Sequence, residues 1–483
     1  QSMQYHPHGD ASIGDALVNL GQKDLLIDTQ GNWGDVRTGD QAAASRYIEA
    51  RLSKFALEVA FNPKTTTWQL SYDGRKNEPV TLPMKFPLLL AQGADGIAVG
   101  LSTKILPHNF CELIDASIKY LKGKKFELFP DFQTGGMVDV SGYNEGKRGG
   151  KVRVRAHIEE LDKKTLVIKD VPYGVTTTQL MESITKANDQ GKIKIKKVTD
   201  VTAAAVEIHI DLAPGISPDI TIDALYAFTD CEVSISPNAC VVINHKPHFI
   251  GVQELLKDAT DNTKELLRKE LDIRLSELED KWHYTSLEKI FFEEKIYKEL
   301  EQKHASWENV IEAIDKAFTP FKKKLKRAIE REDILKLTEK PVRRIYRLDI
   351  NELIEQIRGI EEEIKQVKFD LEHLTEYAVA YFENLLKKYG KNKERKTEIK
   401  AFDTIQVKQV AIANTKLYIN RAEGFIGTSL KKDEHLCDCS DYDDIIAFTK
   451  AGTMKVVKVS DKVFIGKDIL YAAVFQKNDE RTT

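Results

Sequence analysis

The sequence predicts a multidomain α/β protein arranged around a long helical arm, and three observations carry that expectation. First, Leu353, Ile357, Ile360, Ile364, Val367, Leu371, Leu374, Ala378, Tyr381 and Leu385 follow one another at alternating steps of four and three. That is the seam of a coiled coil. Second, the texture from about residue 130 changes to short basic–apolar alternation punctuated by Gly and Pro, as in Lys151–His157. Third, β-like runs with glycine turns resume after the charged stretch Lys391–Lys400. A chain of 483 residues is also too long for one compact domain, and roughly 100–200 residues per domain suggests about three.

Residues 1–125 read as short helices and loops. Asp10 is expected to cap a helix that carries Ile13, Leu17 and Leu20 on one face and ends at Gly21. A second helix is expected from Arg46, with Ile48, Leu52, Phe55 and Val59 as its apolar stripe. Two amphipathic helices with Gly-rich links suit a small winged-helix or helix-turn-helix unit. Residues 126–255 read as an α/β domain, with strands at Lys151–His157 and Leu166–Lys169 and a paired ribbon of Lys192–Val198 with Ala205–Ile210.

Residues 256–400 form the arm. A partner seam runs through Leu267, Leu271, Leu275, Leu278 and Trp282, so the arm folds back as an antiparallel pair. A helix of about 45 residues reaches roughly 65 Å. The stretch from about 305 to 348, broken by Pro320 and Pro341, belongs at its tip. Lys391–Lys400 reads as a charged linker. Residues 401–483 start a β-rich, propeller-like module through Val407–Ala413, Lys416–Ile419, Ile445–Thr449 and Thr453–Val459.

Composition excludes several classes. The chain is 42% hydrophobic and 30% charged with a net charge of −3, so it can bury cores and gives no global sign of nucleic acid. Locally the picture differs: Lys147–Asp200 holds 13 Lys/Arg against 7 Asp/Glu, a basic surface in strand-like sequence. No run approaches the roughly 20 apolar residues of a membrane span. Five cysteines are few for this length and fit a reducing cytoplasm. Cys437-Asp438-Cys439 lacks the second ligand pair of a zinc site. The chain starts Gln1-Ser2-Met3-Gln4-Tyr5, without an initiator Met and inside a motif, and reads as a fragment.

Three windows carry chemistry. Ala43-Ala44-Ser45-Arg46-Tyr47 is the sharpest. On the expected helix Tyr47, Arg51, Lys54 and Glu58 share a polar face, and a tyrosine among cations there is unusual, because tyrosine normally helps fill a core. Phenols ionise near pH 10, so a nucleophilic tyrosine needs positive charge or a base beside it. Arg46 offers a guanidinium fork suited to phosphate. A tyrosine next to an arginine is also common on ordinary surfaces. The second window is Tyr5-His6-Pro7-His8-Gly9-Asp10, ahead of a helix N-terminus that can seat a phosphate. His8 could donate to that phosphate or move a proton. The third is Gln92–Gly100, in which Ile97 could project from a glycine loop as a wedge between base steps. On spacing alone Gly-Ile-Ala-Val-Gly reads as a buried strand. The sequence has no Gly-x-x-x-x-Gly-Lys-Ser/Thr phosphate loop, and no compact acidic cluster to hold magnesium.

Seven motifs in order resemble the A subunit of bacterial type IIA DNA topoisomerases, the gyrase and topoisomerase IV family. They are Tyr5–Asp10, Gly31-Asn32-Trp33-Gly34, Ala43–Tyr47, Gly96-Ile97-Ala98-Val99-Gly100, Pro107-His108-Asn109, Pro130–Gly136 and Arg148-Gly149-Gly150-Lys151-Val152. The resemblance covers nearly the whole chain. It implies a winged-helix DNA gate, an α/β tower, a coiled coil with a helical exit-gate tip, and the start of a C-terminal domain. It implies that Tyr47 forms a transient 5′-phosphotyrosyl link, that Arg46 steadies the pentavalent phosphate, and that His8 lies near the scissile phosphate. Ile97 is then the intercalating wedge, with His6, Arg51, Lys151 and Arg153 as further DNA contacts. Magnesium and ATP are implied to belong to a partner B subunit, in an A2B2 assembly built on a homodimer that acts on duplex DNA at the nucleoid.

Some positions depart from the family. Its further arginine upstream of the His-Pro-His motif falls before residue 1, so this chain alone is expected to cleave poorly. No basic Gly-rich box stands between Phe402 and Thr483, which leans toward a decatenating topoisomerase IV rather than a supercoiling gyrase. A non-cleaving dimeric DNA clamp and a plain coiled-coil scaffold are the alternatives from other classes. Ala11 stands where the family usually has the Ser or Thr linked to quinolone binding, and Asp15, four residues on, matches its acidic partner. Quinolones are therefore expected to trap fewer cleavage complexes with this chain than with its Ala11→Ser variant; equal trapping would refute that.

Overall fold

The computed structural model describes residues 5, 7–302, 306–339, 350–403, 405 and 414–475. The expected strand Val407–Ala413, residue Pro341 and part of the expected tip lie outside the described residues.

The N-terminal region contains α1 (Asp10–Gln22), β1 (Ile27–Gln30), β2 (Glu49–Leu52) and α2 (Lys54–Val59). Gly9, not Asp10, is the N-cap of α1, and it makes no side-chain cap bond. Asp10 is the first helical residue, where a carboxylate still favours the positive helix end. Nor does Gly21 end the helix. It is buried within α1 because a Cβ there would lie 2.6 Å from the Trp33 ring.

The helix expected from Arg46 does not form. Ser45–Tyr47 makes a single 3-10 turn, and residues 49–52 pair antiparallel with β1, Gln30 opposite Glu49 and Ile27 opposite Leu52. Their backbone groups are thus satisfied across a ladder. Ser53 then caps a new, short helix by accepting from the Ala56 N–H at 3.0 Å. The apparent helical stripe mixes two elements: Phe55 and Val59 are buried, whereas Leu52 is exposed. Tyr47, Arg51, Lys54 and Glu58 therefore do not share a helix face.

A hairpin of β3 (Trp68–Leu70) and β4 (Asn77–Pro79) follows, then α3 (Leu88–Gln92), a second hairpin of β5 (Ala94–Ala98) with β6 (Leu101–Ile105), and α4 (Phe110–Leu121). The motif Pro107-His108-Asn109 joins this hairpin to α4. Asn109 caps the helix by accepting from the Cys111 and Glu112 N–H groups, while its amide donates to Asp131 and to the Lys393 carbonyl. His108 is buried between the Leu90 carbonyl and the Tyr143 hydroxyl.

The middle region has two four-stranded sheets. One contains β7 (Met137–Asp139), β8 (Val152–Arg155) and β13 (Glu232–Ile235), and is completed by β16 (Glu398–Ile399) from far along the chain, in the order β13-β8-β7-β16. The other contains β9 (Ile158–Asp162), β10 (Thr165–Ile168), β11 (Ile195–Asp200) and β12 (Ile208–Leu212), in the order β11-β12-β10-β9. The expected ribbon is present as β11 against β12, with Val198 opposite Ile210. Helices α5 (Thr177–Asp189) and α6 (Pro218–Phe228) cover this second sheet through Leu180, Ile184, Ala224 and Leu225. A Thr176/Gln179 capping box starts α5. β14 (Cys240–Ile243) and β15 (Lys246–Phe249) close the region as a hairpin.

The arm is α7 (Val252–Glu293), 42 residues long, or about 63 Å at 1.5 Å per residue. It packs on α10 (Ile350–Glu372) and α11 (Leu374–Tyr389). Lys264 donates to Thr375, Arg274 to Glu363 and Trp282 to Glu361, so the numbers fall on one side as they rise on the other and the pair is antiparallel. Leu271, Leu278 and Trp282 pack against Ile360, Ile364 and Val367, as the two seams anticipate. The return helix breaks at His373, where φ is −113° and ψ 43°. Farther out, α8 (Trp307–Phe318) and α9 (Arg331–Thr338) pack on the far end of α7 and on Leu353.

The charged segment 391–400 is largely exposed yet docked at several points. Arg395 makes a two-pronged pair with Glu112 and donates to the Phe129 and Pro130 carbonyls. Asp131 accepts the N–H groups of Lys396 and Thr397, and Thr397 is buried. β16 then pairs parallel with β7. Opposite charges close at hand turn a charged run into a docked strap. The last described region is all β. β17 (Thr415–Asn420), β18 (Phe425–Gly427), β19 (Glu434–Cys439) and β22 (Val463–Phe464) form one sheet; β20 (Asp444–Thr449), β21 (Met454–Lys458) and β23 (Ile469–Val474) form another.

Burial lowers the His108 pKa from 6.5 to about 4, with the Arg395 charge adding to the effect. The unfolded chain binds this proton near pH 6.5, while the folded imidazole refuses it until about pH 4. Stability from this residue is therefore complete above pH 6.5 and falls as pH drops through that window, by up to about 3 kcal/mol. Thermal midpoints measured from pH 7 to 4 should fall more steeply for the wild type than for His108→Gln; parallel slopes would refute it.

Candidate functional site

Tyr47 is 65% exposed, on a segment with little of its own to hold it. Its N–H bonds to the Ala44 carbonyl at 2.8 Å within the 3-10 turn. The Arg46 guanidinium lies over the phenol ring, 4.6 Å from its centroid, a cation–π contact. This places a permanent positive charge beside the side chain that carries the hydroxyl. Four residues on, Arg51 pairs with Asp28 across the β1–β2 ladder at 3.1 Å while staying largely exposed. Arg46 is the cation the fold brings onto Tyr47; Arg51 is turned to a carboxylate.

Backbone geometry fixes this turn. Gly31, at φ +96°, lies against the Tyr47 carbonyl, where a Cβ would come within 2.7 Å. That approach and that φ both require glycine. The Ala43 N–H donates to the Asn32 carbonyl at 3.0 Å, tying the start of the tyrosine segment to the same loop.

The other expected site residues are spread over neighbouring elements. His8 is exposed just ahead of α1, and Ala11 and Asp15 are exposed on that helix, four residues apart. His6 lies outside the described residues. Ile97 is 92% exposed near the tip of the β5–β6 hairpin, opposite Ser102. The buried-strand reading of Gly-Ile-Ala-Val-Gly gives way to a projecting hairpin with a bare apolar end, because Val99 beside it is exposed too. The hairpin is steadied from behind: Lys104 and Asn238 form a bridge, and the Asn238 amide donates to the Ser102 carbonyl at 2.7 Å.

Lys151 is exposed before β8, whereas Arg153 is half-buried and committed within the chain. Its guanidinium pairs with Asp139 at 2.6 Å and donates to the Phe402 carbonyl at 3.0 Å. Lys151 is thus the cation of this pair left facing solvent. Among the described residues no group of three or more His, Cys, Asp or Glu side chains is placed to hold a metal, and no helix is long and apolar enough to cross a membrane.

Residues 1–385 match the family model for the A subunit of DNA gyrase/topoisomerase IV. The chain belongs to that family. Residues 416–483 match a second model, the topoisomerase C-terminal domain of Bacteroidota. The A subunit of DNA topoisomerase 4 from Borreliella burgdorferi is 40% identical over 480 residues, covering 99% of this chain and 76% of that protein. The DNA gyrase A subunit of Brachyspira hyodysenteriae is 28% identical, covering 97% of this chain and 62% of its own length. That of Staphylococcus aureus is 34% identical over 304 residues, covering 58% of this chain and 34% of its own. The chain thus spans three quarters of the topoisomerase 4 protein and less than two thirds of either gyrase protein.

In this member of the DNA gyrase/topoisomerase IV family, the loop Gly31-Asn32-Trp33-Gly34 stands out in sequence as a motif but without a task. The available signal was two glycines flanking a lone tryptophan in an otherwise polar stretch. The exposure of Ile97 has a direct consequence. Ile97→Ala should shift the thermal midpoint by less than about 1 °C, because an exposed side chain contributes within about ±0.5 kcal/mol. A drop of several degrees would mean that the hairpin packs on it.

Proposed function

We propose that Tyr47 is the nucleophile of a reversible DNA-cleavage reaction. The chain is the cleaving and religating subunit of a type II DNA topoisomerase, an isomerase that acts with a B subunit. The observation that carries the role of Tyr47 is its exposed hydroxyl-bearing ring beneath the Arg46 guanidinium.

In this reading the phenol oxygen attacks a backbone phosphorus in line with the departing oxygen. A P–O bond to Tyr47 forms as the P–O3′ bond breaks; the phenol gives up its proton, and the released 3′ oxygen takes one. The strand end stays tethered as a 5′-phosphotyrosyl ester. One phosphodiester replaces another, so resealing is the same step reversed and needs no external energy. The main catalytic demand is stabilisation of negative charge on the five-coordinate phosphorus, which Arg46 supplies. His8 stands ahead of α1 to donate to the phosphate or move the proton. Ile97 wedges between base steps and helps bend the duplex, at a few kcal/mol offset by contacts along the bent DNA. Lys151 and the exposed lysines of β11 contribute to those contacts.

The architecture fits a winged-helix gate over 1–125, a tower over 126–255, an antiparallel coiled-coil arm with an exit-gate tip, and the first part of a propeller-like domain. Severing both strands takes two tyrosines, which calls for a homodimer. Mg2+ and ATP are assigned to the B subunit of an A2B2 assembly. Near-complete coverage by the A subunit of a topoisomerase 4 favours decatenation and relaxation. The second reading is the A subunit of a gyrase, supported by the length of the match to the Brachyspira protein.

The test reconstitutes the full-length chain with its B subunit, magnesium and duplex DNA, and looks for protein attached to 5′ ends. Tyr47→Phe should abolish the adduct and leave salt-sensitive DNA binding intact. An adduct that survives would assign the chemistry to another residue, and a wild type with no adduct would favour a non-cleaving clamp.

A further inference from the structure

We propose that Trp33 is a positioning residue for Tyr47, setting the height of the tyrosine turn above α1. The inference rests on the reading of Tyr47 as nucleophile. Between Ile27 and Ser53, Trp33 is the only buried residue, at 7% exposure. From Ala44 to Leu52 every side chain is exposed except Ile48, which is half-buried. The tyrosine segment therefore has almost no packing of its own, and what fixes it must come through its backbone.

That backbone leads to Trp33. The Asn32 carbonyl holds the Ala43 N–H, and Gly31 abuts the Tyr47 carbonyl. Next in sequence, the Trp33 indole N–H donates to the Gln30 carbonyl at 3.0 Å, closing the loop on itself. The Trp33 carbonyl accepts from the Gln22 amide at 2.9 Å, and its ring presses on Gly21 with no room for a Cβ. Both of those contacts are in α1, the helix that His8 precedes and that carries Ala11 and Asp15. The indole is thus a spacer between α1 and the loop that supports Tyr47.

A nucleophile misplaced by about 1 Å can lose on the order of a hundredfold in rate without losing affinity. In the reconstituted full-length enzyme, Trp33→Ala should slow single-turnover formation of the 5′ adduct per DNA-bound complex by about tenfold or more. Noncovalent DNA affinity should stay within about threefold, and Trp33→Phe, which keeps an aromatic spacer, should restore most of the rate. Gly21→Ala tests the same contact with the indole retained: its methyl must displace the ring, so it should show the same split and serves if Trp33→Ala fails to fold. A wild-type rate in the variant that folds would overturn the proposal. So would a parallel fall in binding and cleavage, or a Phe variant no better than Ala. Tyr47→Phe is run alongside. If its adduct persists, the reading of Tyr47 fails, whatever the Trp33 variants do.

Discussion

The structure depends on one aromatic junction. The Phe55 ring meets Phe86, Phe110 and Tyr389 at centroid distances of 5.2, 5.5 and 5.3 Å. Phe55 follows β2, the strand entered from the Tyr47 turn; Phe110 begins α4; Tyr389 ends the return helix of the arm. Edge-to-face pairs contribute about 0.5–1.5 kcal/mol each beyond the area they bury. The same core takes in Val252 and Leu256 from the start of α7 and Phe382 and Leu385 from α11. Both roots of the arm and the segment that follows the Tyr47 turn therefore end in one packed cluster. A close-packed interior yields little to small displacements, so the exposed tyrosine turn is mounted on a rigid base although the turn itself buries almost nothing.

Long-range order was legible in the sequence and local backbone was not, for a physical reason. The arm was readable because ten apolar residues in strict four–three alternation have few other uses, and Leu271, Leu278, Ile360 and Ile364 do meet. The ribbon of β11 and β12 was readable from alternation. The segment 46–59 was misread because its spacing arises from a strand handing over to a capped helix, and periodicity cannot see the β1 partner that decides between them. Asp10 and Gly21 carried the usual signals of helix ends, but Gly9 took the cap and Trp33 needed the glycine for space. At 391–400, composition indicated only a charged linker, and Glu112 and Asp131, distant in sequence, hold it down. The candidate site followed the same division. Tyr47 and Arg46 stood out by residue type; the loop beneath them stood out as a motif, and its place under the turn became visible only as a set of contacts.

Charge shows why counting basic residues overstates a nucleic-acid surface. The basic stretch of the middle region divides in two when folded. Arg153 and Arg155 turn inward to Asp139 and Glu232, and Arg155 also lies over the Tyr226 and Phe402 rings. Their task is to bind the sheet to the strap that follows the arm. Lys194, Lys196 and Lys197 at and just before the edge strand β11 stay exposed, as does Lys151. His157 belongs to the inward group. Burial works against its charge, but hydrogen bonds to Asp170 and to Glu398 of the strap hold its pKa above the ordinary value. Arg148 and most of the lysines stay exposed, and under the proposed function such cations suit sequence-independent backbone contact.

The transesterification proposed for Tyr47 exchanges one phosphodiester for another and has little driving force in either direction, so what the protein must supply is geometry and local charge. The two demands conflict at an exposed residue. A side chain that must reach DNA cannot be buried, and one that is not buried cannot be held by packing. The fold separates them along the chain. The charge comes from Arg46, adjacent in sequence and folded over the ring; the position comes from backbone contacts to Gly31 and Asn32. Neither requires Tyr47 to surrender exposed surface. That arrangement explains why glycine and a buried indole, rather than further polar groups, sit behind a residue whose chemistry is entirely polar.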